Sequence, residues 1–98
     1  MSVLSLEGNK HLAVAYTSPW LGNISYEVES DRPIAVLVLD EANLLAWRNQ
    51  QNYVYLGGTA GAQVTAFTQT LFLPSNTKWF LVMVNYNYLP AAVWYRAR

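Results

Sequence analysis

The sequence contains no cysteine in its 98 residues. Disulfide stapling, zinc–thiolate sites and thiol nucleophiles are thereby excluded. Charge is also scarce. Six Lys and Arg balance six Asp and Glu, 12% of the chain against about 25% in an average soluble domain. With a formal net charge of zero, there is no basic field to draw nucleic acid or anionic lipid. Long apolar runs are missing too. The longest, Ile34–Leu39 and Trp79–Val84, have six residues each, whereas a membrane-spanning helix needs about 20, so no transmembrane segment is expected. The stretch before Glu7 has no basic region and no continuous apolar core, so it does not read as a signal peptide. A cytoplasmic location follows, although a mature secreted fragment, a virion component or a subunit of a larger assembly would carry the same signature.

What the chain does have is apolar residues, 53% of the total, which excludes intrinsic disorder. Its length suits one domain over residues 1–98, able to bury roughly 60–70% of its unfolded surface. Strand signals dominate. Ile24, Tyr26 and Val28 alternate with Ser25, Glu27 and Glu29, the pattern of a half-buried strand. Ser30-Asp31-Arg32-Pro33 reads as a turn, since proline fixes its own φ and its predecessor avoids helix. Ile34–Leu39 is a second strand, apolar at every position. Asp40 to Arg48 is the one helical candidate, with Asp40 as cap, Glu41 at the positive end and Arg48 at the negative end.

Tyr53–Leu56 has strand composition and stops at Gly57-Gly58. Gln63–Leu73 is a longer strand whose inward parity changes, which predicts a bulge near Thr68. Pro74–Thr77 reads as a hairpin turn, with Lys78–Tyr86 as the returning partner. Ala92–Arg96, His11–Tyr16 and Val3–Glu7 complete the set. Seven or eight short strands with at most one short helix near residues 40–48 describe an all-β fold, an antiparallel β-sandwich of jelly-roll or similar type.

The catalytic inventory is thin. His11 is the only histidine, and no nucleophile-elbow pattern surrounds any serine. Glu27 and Glu29 share the wet face of one strand, about 7 Å apart, which reads as a solvated face more readily than as a glycosidase pair. Asp40, Glu41 and Asn43 match no calcium loop. Gly57–Gly61 lacks the lysine and hydroxyl that a phosphate loop carries after its last glycine. No catalytic residue, metal site or cofactor is therefore expected, and the chain does not read as an enzyme.

Aromatics are the surplus: four Trp, seven Tyr and three Phe. Phe67, Phe72 and Phe80 read mostly as core. Trp20, Trp47, Tyr86 and Tyr88 lie where strands end, among Asn, Pro and Gln. Such rings pin loops to the sandwich, form a protein interface, or stack a sugar. Without interleaved basic residues they do not suit nucleic acid. Ile34–Leu39 and Trp79–Val84 are apolar on both faces, while a sandwich strand has one core face. The short helix, a loop or another chain must cover the second face. The reading adopted is that another chain does so, with the protein itself as the first candidate partner.

From Pro33-Ile34-Ala35-Val36-Leu37-Val38-Leu39-Asp40 through Asn43-Leu44, Tyr53 and Tyr55, Leu71-Phe72-Leu73-Pro74 and Trp79-Phe80-Leu81-Val82-Met83-Val84-Asn85, the chain resembles Golgi-dynamics (GOLD) type β-sandwiches and similar bacterial and archaeal modules. The resemblance runs over roughly residues 24–95. It implies a sandwich fold and non-catalytic recognition of proteins or lipid-proximal surfaces, with no catalytic residues to carry over. The expected function is thus a binding or assembly module, acting as a homo-oligomer or on a partner protein. The residues expected to carry it are Trp20, Trp47, Tyr53, Tyr55, Phe80, Val82, Tyr86 and Tyr88. The alternative is a small-ligand or carbohydrate-binding module that uses the loop aromatics.

Overall fold

The computed structural model describes residues 2–18, 23–74 and 76–97. In chain order it holds β1 (Ser2–Leu6), β2 (Lys10–Thr17), β3 (Asn23–Leu39), α1 (Glu41–Arg48), β4 (Gly57–Gly58), β5 (Val64–Phe72), β6 (Lys78–Asn85) and β7 (Ala91–Ala97). The fold is all-β and antiparallel, with one short helix, as the alternation predicts.

One strand organises it. β3 runs for 17 residues, straight through the segment that reads as a turn in the sequence. Its first half pairs with β7 and β5, and its second half pairs with β6 and β4. The sheet therefore curls about β3 into two layers, one ordered β1-β7-β3-β5 and the other β2-β6-β3-β4. Pro33 does not break the strand, because the ladder is interrupted there. Between Glu29 and Ile34 the register against β5 shifts, so the missing N–H leaves no rung unmade. Side chains stabilise the bend instead: Ser30 Oγ donates to the Arg32 carbonyl (2.5 Å) and Asp31 accepts from the Ala92 amide (2.8 Å).

This bend relocates two other sequence expectations. The parity change in β5 comes from the irregularity opposite Thr65, not from a bulge near Thr68, where the pairing is regular. The expected hairpin between Gln63–Leu73 and Lys78–Tyr86 does not form as a pair. β5 lies in the first layer and β6 in the second, so the chain changes layer between Phe72 and Lys78. Ser18 holds that crossing, donating to the Pro74 carbonyl (2.6 Å) and accepting from the Thr77 amide (2.9 Å). Tyr53–Leu56 is not a strand but an extended connection. Phe72, expected in the core, is 82% exposed at the end of β5.

The main core fills the space between the layers. Trp79, Leu81 and Met83 of β6 meet Ile34, Val36 and Val38 of β3, with Ile24, Tyr26 and Val28 from the other layer. Tyr16 stacks on Trp79 at 4.8 Å between ring centroids. Burial raises the Tyr26 hydroxyl well above its ordinary range, and it donates to Gln69 Oε1 at 2.6 Å.

The second faces of β3 and β6 are covered from within. Ala35, Leu37, Leu39, Val82 and Val84 pack beneath Leu44 of α1, with Ala13, Trp47 and Phe80 at the margin. This corrects the expectation that another chain covers them. Burying a leucine-sized side chain is worth about 1.5–3 kcal/mol, so Leu44 alone gives α1 a reason to stay docked. The helix begins where Asp40 Oδ1 accepts from the Asn43 amide (2.8 Å). It ends at Asn49, whose N–H reaches the Leu45 carbonyl.

Candidate functional site

α1 lies across the outer face of the second layer and runs alongside the strand at its edge. At its start, Glu41 Oε2 stands 4.0 Å from Lys78 Nζ, and Lys78 is the register partner of Thr17 in β2. At its end, Arg48 Nε donates to His11 Nε2 at 3.2 Å, and His11 is the second residue of β2. Trp47 meets the His11 ring edge-on at 4.8 Å. Burial, and then the Arg48 charge, lower the His11 pKa below its ordinary value. The neutral imidazole can therefore accept from Arg48.

Glu41, Leu45 and Arg48 fall at i, i+4 and i+7, one stripe of the helix. With Ala42, Leu44 and Phe80 they line an open groove of about 510 Å³. Leu45 is 62% exposed on this stripe. On the opposite flank of the helix, Asn43 Oδ1 accepts from the Val54 amide (2.8 Å). That bond tethers Tyr53, Val54 and Tyr55, all of which are exposed.

The groove borders an unpaired strand edge. β2 pairs with β6 along one side, and no described strand pairs with its other side. Its eight residues, Lys10-His11-Leu12-Ala13-Val14-Ala15-Tyr16-Thr17, contain no proline and no glycine. They pair with β6 in unbroken register, so no bulge protects the edge.

The structure scatters the residues singled out in the sequence. Phe80 lines the groove and Trp47 packs between the second core and His11, each half-buried. Tyr53 and Tyr55 sit on the other flank of α1. Val82 is fully buried under the helix and does not reach the surface. Tyr86 and Tyr88 are exposed in the connection to β7, with Leu89 beside them. Trp20 lies outside the described residues. Leu45 and the edge of β2 were not singled out in the sequence. The helical spacing of Glu41, Leu45 and Arg48 marked the stripe, but nothing local marked β2 as an edge.

A second concavity, also about 510 Å³ and open, lies on the first layer among Ser25, Glu27, Thr68, Gln69, Thr70 and Arg96. Arg96 pairs with Glu27, and Ser25 Oγ is 3.0 Å from Thr70 Oγ1. Its hydroxyl groups and neutral ion pair give it hydrogen-bonding capacity without net charge. Among the described residues no cluster of three or more His, Asp or Glu side chains could hold a metal ion. No described helix is long and apolar enough to cross a membrane. No known protein family matches this chain, and no curated protein matches it.

Proposed function

We propose that this chain is a non-catalytic assembly module that associates with itself through the α1 side of its second layer. One observation carries the reading: an apolar groove with an exposed leucine runs beside an open strand edge. Soluble proteins usually guard such edges with proline, charge or bulges, and β2 has charge only at Lys10. Phe80 and Leu45 give the groove its apolar wall, and Trp47 packs against His11 of the edge strand. The GOLD-type resemblance agrees with a recognition role. The sequence argument for a covering chain moves accordingly, from the face that α1 covers to the edge that it leaves free.

Light scattering over a wide dilution series tests the reading. The expected mass climbs from 11.1 kDa towards a multiple of it with concentration. A constant monomer mass up to about 1 mM, which excludes any association stronger than about −4 kcal/mol, overturns it.

A ligand-binding reading has its own support in the concavity of Ser25, Glu27, Thr68, Thr70 and Arg96. Uncharged hydroxyl-rich surfaces suit a saccharide or another polyol. Arg96→Ala would then abolish a saccharide-dependent change in tryptophan emission, Trp94 being two positions along β7 from Arg96. No response to a panel of neutral sugars removes this reading.

A further inference from the structure

We infer that two copies of this chain pair antiparallel along β2, joining their second layers into one continuous sheet about a two-fold axis. The inference rests on the self-association reading and specifies its geometry.

Three features point to this edge. The first is its freedom. β5 is the other long edge, and the Gly57–Gly58 segment engages its Gln69 and Leu71 side chains, Gln69 Oε1 accepting from the Gly58 amide (3.0 Å), whereas the charged stripe of α1 lies over the second layer and reaches β2 at His11. Beyond its pairing with β6, β2 has no neighbour strand among the described residues.

The second is face parity. Leu12, Val14 and Tyr16 pack on the inner core, whereas Ala13 packs on the α1 side. In a continuous sheet, inner residues must oppose inner residues. Placing Val14 opposite Val14 of the second copy satisfies this. Leu12 then meets Tyr16 of the second copy, Ala13 meets Ala15, and His11 meets Thr17. The lysine at position 10 stays outside the ladder. The small side chains of Ala13 and Ala15 leave the seam clear on the helix side.

The third is charge. α1 runs from the Thr17 end of β2 to the His11 end, as its contacts with Lys78 and His11 fix. A two-fold axis through Val14 exchanges those ends. The acidic end of one helix stripe then faces the basic end of the other, so that Glu41 lies towards Arg48 of the second copy and the reverse. Leu45, midway, approaches its own equivalent near the axis. Two helices seated over β6 and β3 are about three to four strand spacings, ~14–19 Å, apart, a gap that these side chains reach into from both walls. Glu–Leu–Arg read in one direction complements itself read in the other, which an isologous contact requires. One strand edge and one helix stripe make a contact of the small, dissociable kind, so the dimer forms and dissociates with concentration.

Sedimentation of four proteins tests this, with circular dichroism to verify that each is folded. Leu45→Glu alters an exposed residue and sets two carboxylates together at the axis, so it is expected to weaken the dimer at least about tenfold. Arg48→Glu alone is expected to weaken it comparably. The double variant Glu41→Lys, Arg48→Glu restores the pairing of opposite charges, and with it most of the wild-type affinity. A wild-type dimer that is unmoved by Leu45→Glu, or a charge swap that fails to restore association, overturns this geometry and leaves self-association standing. A wild type that stays monomeric overturns both.

Discussion

Asn85 is fully buried, yet both polar atoms of its side chain are hydrogen-bonded. Its amide donates to the carbonyls of Leu6 (2.9 Å), Glu7 (3.3 Å) and Leu89 (2.9 Å), and its Oδ1 accepts from the Asn87 amide (2.9 Å). The residue thus binds the end of β6 to the β1–β2 turn and to the loop before β7. Asn85→Ala would strand several buried polar groups and cost on the order of 3 kcal/mol, readable as a fall in the urea midpoint. Gly58 is constrained in a different way. Its φ is +130°, and a Cβ there would lie 2.2 Å from the Val36 carbonyl oxygen. Gly58→Ala is expected to cost about 3 kcal/mol from strain and displacement together, and a thermal melt would register it. His11 has a consequence in pH. Its folded pKa lies below the usual 6.5, first through burial and then through Arg48. The unfolded chain therefore takes up the proton first, and stability declines as pH falls below about 6.5 towards the lowered folded pKa. His11→Gln removes that decline. Equal loss of stability in both proteins between pH 7 and pH 5 would count against this origin.

Among the elements, α1 shows what was legible in the sequence. Its cap, its acidic first turn and its basic last turn are all local signals, and each stands where expected. Asp40→Ala would leave the Asn43 amide without its acceptor and cost about 1 kcal/mol. For a domain of this size that is a fall of about 4–8 °C in melting temperature. Because Leu44 holds the second core closed, loss of the helix would also expose Val82 and Val84, which dye binding would detect. The edges of most strands were legible for the same reason: alternation and turn residues are local. The partners of those strands were not. Pro33 is a local breaker, but the continuity of β3 depends on two partners far along the chain that leave a gap at that point. The hairpin expected across Pro74–Thr77 failed similarly. Four residues suffice for a hairpin, and only Ser18, 56 residues from Pro74 in sequence, shows that they cross between layers. The site followed this pattern. Trp47 and Phe80 were visible as apolar residues near element ends, whereas the open edge beside them is a property of sheet order. Val82 does not reach the surface, because a single short helix is enough to cover the outward face of β6.

At the scale of the whole molecule, the two layers are not separate sheets pressed together. They share β3, so neither keeps its central strand if the other opens. Unfolding is expected to be a single transition, with β3 and β6 amides exchanging at the slowest, global rate. Separate melting of the layers, seen as two exchange classes dividing at Asp31, would contradict it. Non-local pairing of this kind also places folding in the millisecond-to-second range typical of β-sandwiches, measurable by stopped-flow dilution from denaturant.

The pairing order has a further result during synthesis. β1 awaits β7, β2 awaits β6, and β3 awaits β4, β5, β6 and β7. Every strand in the first half of the chain finds its mate only in the second half. As the polypeptide emerges from the ribosome, β1 and β2 have no partner until β7 and β6 are out, and β3 can pair only with β4 and β5 before then, its remaining backbone N–H and C=O groups unmet. Completion of both layers must therefore wait for β6 and β7. A chain stopped before β6 would present nascent strands with nowhere to go, and these are the species that chaperones hold and proteases remove.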